Sequence, residues 1–490
     1  MELEKLLERC EPVIGLEIHV QLRTETKMFC GCANRFGAPP NSLTCPVCLG
    51  LPGALPVINR RSFELGVRAA LALHGNIQND TGFDRKNYFY PDQPKNYQIS
   101  QYELPLALGG YVEIENDSDA AKKIRLMRMH LEEDAGKNIH DPDSNSTLVD
   151  LNRAGTPLLE IVSEPDIRSP GDAVLYARSL REILRYAEVS DCDMEKGNFR
   201  ADTNISVRPR GSGELGTRTE IKNLNSFAHL RACLEFEIKR QAEILESGGQ
   251  VLQETLQFDP VTGRTSSMRS KEEAHDYRYF PEPDLLPVFI SEDRVGEIRG
   301  SLPELPGPKR RRYVEDYGLS EYVAGVLTAD RESAALFESA IARGGEPKRM
   351  ANWIANEVAG QMNDRGLAWD ECPMTPKMIV ELEELIADGT ITRKVGRGLF
   401  PEIFGTGKPP SDIVREKGLA GGADLSEIGR ILDRMIEEKP KLVADYKAGR
   451  KKAVNAFIGP VMRKTRGKAD AGEVVRLLEG KLGAPDEGKS

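Results

Sequence analysis

Two sets of residues in this 490-residue chain have types and spacings that could do chemistry. The first lies in MFCGCANRFGAPPNSLTCPVCLG. Cys30 and Cys32 form a C-x-C pair, Cys45 and Cys48 a C-x-x-C pair, and twelve residues lie between the pairs. Gly37, Pro39, Pro40, Asn41 and Ser42 supply turns in that interval. Two close pairs across a short loop can place four thiolates around a tetrahedral ion, which is zinc-ribbon or knuckle spacing. The alternative is four buried free thiols. A redox C-x-x-C fits less well, because no helix pattern begins at Cys45 to lower its pKa. Four cysteines leave a metal no open position, so the site reads as structural.

The second set is a hard-metal inventory: Glu17, His19, Glu132, Glu133, Asp134 and Glu160, with Lys86 and several arginines near in sequence. Carboxylates with an imidazole suit Mg²⁺ or Mn²⁺, phosphate oxygens completing the shell. Glu160 stands alone in the apolar run PLLEIV. A carboxylate there must be partnered, bound to a metal, or turned to water at a strand edge.

Strands must position these groups. VIGLEIHVQL, Val13 to Leu22, alternates strictly: Ile14, Leu16, Ile18, Val20 and Leu22 on one face, Gly15, Glu17, His19 and Gln21 on the other. In IRLMRMHLEED, Arg128, His130, Glu132 and Asp134 share a face, and regular pairing puts Met127, Met129, Leu131 and Glu133 on the opposite one. GKNIH then reads as a turn, followed by strands over TLVDLN and PLLEIV. FRADTNISVR sends Arg200, Asp202, Asn204, Ser206 and Arg208 one way, and TRTEIKNL places Arg218, Glu220 and Lys222 together. Several strands with one apolar and one charged face fit a mainly antiparallel sheet whose apolar side is covered by helices. The other side is then a charged bowl. Such a face gains little stability, so a charged ligand is the better reason for it.

The covering helices carry their own signals. Asn59 caps one with Phe63, Val67, Ala70 and Leu71 on its inner face. Ser169 and Pro170 open another with the stripe Val174, Ala177, Leu180, Leu184 and Ala187. A long helix from Asn225 presents Phe227, Leu230, Leu234, Ile238 and Leu245. Between strands, Phe83 to Glu103 reads as a long ordered loop. Its Tyr88, Phe89 and Tyr90 either stack a base or anchor the loop, and a related string, DYRYFPEPD, recurs at Asp276 to Asp284.

From Leu302 to Arg312 the Pro-rich, basic LPELPGPKRRR reads as a linker. Helices are expected beyond it, over residues 320–329, 331–343, 348–362, 375–388 and 391–400, then a break at GTGKPP and four more helical stretches to about residue 483. The expected fold is therefore α+β: a large, mainly antiparallel β cradle with flanking helices over 1–298, an all-α domain over 299–409 and a small helical tail over 410–490. In the tail, Pro440 to Lys468 sets nine basic residues against one acid, Asp445. Lys447, Arg450, Lys451, Lys452, Arg463, Lys464 and Arg466 are the expected RNA-backbone contacts; the alternative is a solvated helix face.

Composition bounds the classes. With 39% hydrophobic and 29% charged residues the chain reads as a soluble globular protein, and its net charge of −10 confines any nucleic-acid contact to a local patch. Acids occupy the N-terminal stretch where a secretory signal needs a basic region, and no apolar run of about 18 residues is present, so no membrane span is expected. Cytoplasm, a reducing compartment, fits the cysteine usage. No G-x-x-x-x-G-K-[ST] loop, dinucleotide fingerprint or G-x-S-x-G elbow is visible.

The strings VIGLEIHVQL, FDRKNYFYPDQPKNYQISQYE, HLEEDAGK, DLNRAGTPLLEIVSEPD, NFRADTNISVRP and EIKNLNSFAHLRACLEFE resemble the GatB family, the B subunits of the bacterial aspartyl/glutamyl-tRNA amidotransferase. The resemblance covers nearly the whole chain, and the basic tail is similar to that family's YqeY-like tail. No large insertion interrupts the stretch from Gly263 to Leu302, where archaeal glutamate-specific relatives carry an extra domain, which favours the bacterial heterotrimer. The resemblance implies a ligase that uses ATP and Mg²⁺ to phosphorylate the side-chain carboxylate of Glu-tRNA(Gln), Asp-tRNA(Asn) or both. It then amidates that group with ammonia from the amidase (A) subunit, with the small C subunit clamping the two. It also implies His19, Glu133 and Glu160 as Mg²⁺ ligands with Glu17 and Glu132 as neighbours, Glu133 and Glu132 as catalytic carboxylates and Lys86 on phosphate. Strict alternation conflicts with Glu133 in that role unless a bulge, or the end of the strand at Glu132, turns it. The competing class is a non-catalytic, zinc-stabilised RNA-binding scaffold whose bowl only holds an acceptor end.

Overall fold

A computed structural model describes residues 3–116, 119–141, 146–270, 277–419, 425–448, 451–465, 469 and 471–483. The chain forms two compact units, Met1–Pro306 and Gly307–Ser490.

The first unit is built on one large sheet. In chain order the unit's strands begin with β1 (Cys10–Gln21), β2 (Asn76–Ile77), β3 (Asp80–Thr81), β4 (Asp84–Asn87) and β5 (Tyr97–Ser100). Next come β6 (Ala107–Leu108), β7 (Tyr111–Asn116), β8 (Asp119–Glu133), β9 (Lys137–Asp141), β10 (Ser146–Asp150) and β11 (Pro157–Ser163). The last are β12 (Phe199–Pro209), β13 (Thr219–Leu224), β14 (Glu254–Asp259), β15 (Arg264–Ser270), β16 (Phe280–Pro281) and β17 (Val288–Phe289). β3 with β17 and β9 with β10 form separate two-stranded sheets. The main path of the large sheet runs β15-β14-β13-β12-β1-β11-β8-β5-β4-β16, with β2, β6 and β7 beside it. Its ladders are antiparallel except β13 with β14.

β1 lies at the centre because alternation makes it two-faced. Ile14, Leu16, Ile18, Val20 and Leu22 are at most 1% exposed. They join one core with helices α1 (Leu3–Leu7), α2 (Arg60–Ala72), α3 (Pro170–Tyr186), α4 (Phe227–Glu246) and α5 (Glu292–Gly300). The expected caps form: Asn59 accepts from the Arg61 and Ser62 N–H groups, and Ser169 from the Asp172 N–H. Leu245 corrects the expected stripe of α4, being 42% exposed, whereas Glu237 and Gln241 are buried. Glu237 is tolerated inside because it accepts hydrogen bonds from Thr219, Arg240 and Gln241.

Three local readings change. The Phe83–Glu103 segment is not all loop: β4 and β5 pair within it. Its tyrosine string meets the related one at β16, where Phe280 pairs with Arg85, a long-range partner that the segment alone does not show. GKNIH is not a turn, since Lys137–Asp141 pairs with Ser146–Asp150 as a hairpin of its own. The supposed linker contains helix α6 (Pro306–Tyr317), with Pro306 at its start, where a missing N–H costs nothing.

The second unit is helical. It continues with α7 (Glu321–Thr328), α8 (Arg331–Ala342) and α9 (Pro347–Asn352), then a π-helical segment, Trp353–Val358, and α10 (Ala359–Arg365). The expected single helix over 348–362 is thus interrupted. Glu383 accepts from Trp353 Nε1 at 2.7 Å, from Arg349 at 2.7 Å and from Arg393 at 2.9 Å there. Helices α11 (Pro376–Ala387), α12 (Arg393–Thr406) and α13 (Pro410–Glu416) complete one core. Helices α14 (Leu425–Glu438), α15 (Pro440–Lys447), α16 (Lys451–Lys464) and α17 (Ala471–Leu482) share another, with Ile428, Leu432, Phe457, Val461 and Leu478 at its centre. No helix among the described residues is long and apolar enough to cross a membrane.

Candidate functional site

Three adjacent strands, β1, β11 and β8, bring the site together. In their registers His19 faces Glu160, and Glu160 faces His130. Glu132, two residues beyond His130, shares its face. His19 Nε2 lies 3.6 Å from Glu132 Oε1 and 3.6 Å from Glu160 Oε2, and His130 Nε2 lies 3.1 Å from Glu160 Oε2. One ligand atom each from His19, Glu132 and Glu160 fits within 4.8 Å of the others. An imidazole with carboxylates from two strands is a donor set for a small, hard divalent ion.

The electrostatics agree with that demand for positive charge. Burial works against an imidazolium at His19, but Glu160, Glu132 and Asp202 outweigh it and raise its pKa to about 9. Burial would raise Glu160, yet His130 and His19 hold it well below the usual carboxylate range. Glu17 is raised, first by burial and then by Glu160, and its Oε1 accepts from Asn204 at 2.8 Å. Lys86 reaches the same carboxylates from β4. Burial disfavours its charge, but Glu132 leads the groups that hold it ammonium, and Nζ lies 4.9 Å from the centre of the Tyr277 ring. The structure therefore brings His19, Glu132, Glu160, Glu17 and Lys86 to one basin.

Glu133 is the correction. It lies on the opposite face of β8, where it pairs with Lys95 and accepts the Ile99 N–H at 3.0 Å. The pairing of β8 with β11 runs without a slip from Glu133–Pro157 to Arg128–Val162, and the irregularity comes only after Val162. No bulge is present to rotate Glu133, so Glu132 takes the place beside His19. His130 was missed as a site residue, although alternation had set it on the same face. Its Nδ1 is buried without a hydrogen-bond partner among the described residues.

The four cysteines meet as their spacing suggests: ligand sulfurs of Cys30, Cys32, Cys45 and Cys48 lie within 4.8 Å of one another. Cys48 Sγ accepts the Cys45 N–H at 3.1 Å, and the fully buried Lys27 places Nζ 3.8 Å away. The Cys30 thiol is the main reason that Cys48 is lowered to about 4, against burial. Four sulfur donors this close to one another suit a tetrahedral zinc ion. The Met28 N–H donates to Gly155 O at 2.8 Å, tying this knuckle to the Arg153–Thr156 turn between β10 and β11.

In the tail, Lys447 ends α15, Lys451 and Lys452 open α16, and Arg463 and Lys464 close it. Lys447, Arg463 and Lys464 are exposed; Arg450 and Arg466 lie outside the described residues.

Comparison with known proteins agrees with this architecture. The family model described as the GatB/GatE catalytic domain matches residues 12–296, and the one described as the GatB domain matches 335–482. The aspartyl/glutamyl-tRNA(Asn/Gln) amidotransferase B subunit of Persephonella marina is 53% identical over 470 residues, covering 96% of this chain and 98% of the relative. The protein of that name from Carboxydothermus hydrogenoformans is 52% identical over 475 residues, with the same coverage. The one from Thermodesulfovibrio yellowstonii is 52% identical over 468 residues, again covering 96% and 98%.

Proposed function

The chain belongs to the GatB family, that of the aspartyl/glutamyl-tRNA(Asn/Gln) amidotransferase B subunits, and from that premise we propose that its charged basin activates and amidates the side-chain carboxylate of a misacylated tRNA. The substrates are Glu-tRNA(Gln), Asp-tRNA(Asn) or both, and the products are the corresponding amides. The observation that carries this reading is the His19–Glu132–Glu160 cluster beside the half-buried ammonium of Lys86.

A carboxylate resists attack by ammonia and must first become an acyl phosphate. One substrate oxygen bonds to the γ-phosphorus of ATP as the bond to the bridging oxygen breaks, and that electron pair leaves with ADP. Ammonia then bonds to the acyl carbon, phosphate departs with its pair, and a proton passes to solvent or phosphate. Mg²⁺ bound by His19, Glu132 and Glu160 would supply charge neutralisation for the phosphate oxygens. Lys86 steadies those oxygens, and Glu17 borders the ion's position. Glu133 has no direct part, because it faces Lys95.

Ammonia comes, in this reading, from the amidase (A) subunit, with the small C subunit completing a heterotrimer in the cytoplasm. The four cysteines hold a structural zinc ion. The division into a cradle over 1–298, a helical domain over 299–409 and a tail over 410–490 belongs to the same proposal; the separate tail core supports a third domain, although α13 packs Ile413 and Val414 into the helical core before it. Lys447, Arg450, Lys451, Lys452, Arg463, Lys464 and Arg466 would meet the tRNA backbone.

The test uses the assembled complex with Glu-tRNA(Gln), ATP and glutamine. Glu132→Gln should lower amide formation by at least about 100-fold while glutamine hydrolysis and tRNA binding persist. Product at the wild-type rate would exclude this site and leave the scaffold reading.

A further inference from the structure

Arg200 stands directly across from His19 in the β1–β12 register, so the two side chains share the charged face. Its side chain is 19% exposed, and NH2 donates to Asp134 Oδ2 at 3.0 Å. Asp134 is buried and fixed in turn, accepting from Gln21 Nε2 at 3.1 Å with Arg153 Nε at 3.5 Å. The bond to Asp134 is the one hydrogen bond that the Arg200 side chain makes among the described residues. A guanidinium has five donors in a planar fork, so an anchored edge leaves the remainder for a ligand.

The strand order β12-β1-β11-β8-β5-β4 sets His19, Glu160 and Glu132 between two half-buried cations, Arg200 from β12 and Lys86 from β4. Phosphoryl transfer needs donor and acceptor roughly in line on opposite sides of the phosphorus. The surroundings of the two cations differ. Besides Glu132 and Glu160, whose charge a divalent ion held by them would offset, Lys86 has the rings of Tyr277 and Tyr279 beside it, which carry no charge to repel a polyphosphate. Arg200 has Asp134 and Asp202 as neighbours, which disfavour a polyphosphate far more than a single carboxylate. The guanidinium fork matches a planar carboxylate and phosphate oxygens alike, so the neighbouring acids are what favour the carboxylate at Arg200.

We propose that Arg200 binds the side-chain carboxylate of the aminoacyl group, the phosphoryl acceptor, and that Asp134 positions it to do so. The proposal rests on the reading of the basin as a phosphoryl-transfer centre. One carboxylate oxygen stays on Arg200 while the other forms the bond to phosphorus. After amidation the neutral carboxamide keeps no charge-assisted pair with Arg200, which favours release of product over substrate.

The test is a ratio of dissociation constants for Gln-tRNA and Glu-tRNA, measured on the assembled complex without ATP. Both ligands share every interaction of the tRNA body, so a general structural defect weakens them alike. The wild type should prefer the carboxylate, and Arg200→Ala should reduce that preference about tenfold with KM for ATP unchanged. Arg200→Lys should keep part of it, and millimolar guanidinium ion should restore acyl-phosphate formation to Arg200→Ala. An unchanged ratio overturns the proposal, as does a rise in KM for ATP alone, which would move Arg200 to the phosphates. Should Arg200→Ala fail to assemble, Arg200→Lys decides, a wild-type ratio overturning the assignment. Failure of the wild type to form any acyl phosphate would sink the wider reading instead, while the binding ratio would still report on Arg200.

Discussion

Two adjacent glutamates on one strand have unrelated tasks. Glu132 faces His19 at 3.6 Å, and Glu133 faces Lys95 on the other side of the sheet. Period-two alternation separated them in the sequence, and the family resemblance set that separation aside; the unbroken β8–β11 register restores it. Their substitutions should therefore differ in kind. Glu132→Gln removes activity, and its thermal unfolding should stay close to wild type. Glu133→Gln leaves the Lys95 ammonium, 8% exposed, without its ion-pair partner, and should cost about 3 kcal/mol in denaturant unfolding. Adding Lys95→Met should recover much of that loss. Equal unfolding midpoints for wild type and Glu133→Gln would contradict the assignment. His130 shows where alternation stops: it gives a face, but the 3.1 Å approach to Glu160 needs two strands far apart in sequence.

At the scale of elements, β1 holds the site by its two neighbours, β11 and β12. Its outer end is locked by Glu11, which accepts from Arg208 at 2.6 and 2.9 Å with Arg168 near. The Arg208 hydrogen bond leads in holding Glu11 below the usual carboxylate pKa. A lowered folded-state pKa contributes stability above the unfolded value, and that contribution disappears as pH falls through the folded value. Glu11→Gln should thus be less stable than wild type at pH 7, by about 1 kcal/mol, and the two should converge as the pH falls from the ordinary carboxylate value through the lower folded-state one. Parallel curves across that range would rule out the pair as the source. The cysteine knuckle is the second such element. A reduced preparation should carry about one zinc per chain, and Cys48→Ser should lose the metal together with thermal stability. Full stability without metal would return the four thiols to the role of ordinary core side chains. Its spacing was plain in the sequence, whereas the tie from Met28 to Gly155 was not, because it joins residues more than a hundred positions apart.

For the molecule as a whole, charge is divided unevenly. The chain carries −10 overall, yet Pro440 to Lys468 holds nine basic residues to one acid. The tail has a core of its own that begins at Ile428, so ending the chain after Leu419, which keeps Ile413 and Val414 of α13, should leave the other cores intact. In the assembled complex that truncation should weaken tRNA binding and flatten its salt dependence, by roughly one unit of slope for each phosphate the tail had neutralised. Unchanged affinity and slope would remove the basic patch from the interface.

The sequence by itself determined which residues face which way. Alternation fixed the charged and apolar sides of β1, of β12 and of β8 from Arg128 onward, but not at Met127, which a register shift beside it leaves 47% exposed; cap residues began α2 and α3, and cysteine spacing marked the knuckle. These are local consequences of a two-residue or 3.6-residue period. Only the tertiary structure decided which strands are neighbours, and so which charges meet. Glu132 rather than Glu133 beside His19, His130 against Glu160, Arg200 across from His19 and the pairing of the two tyrosine strings all depend on register. Register is set by burying one whole face of the sheet, which no single stretch of sequence can report.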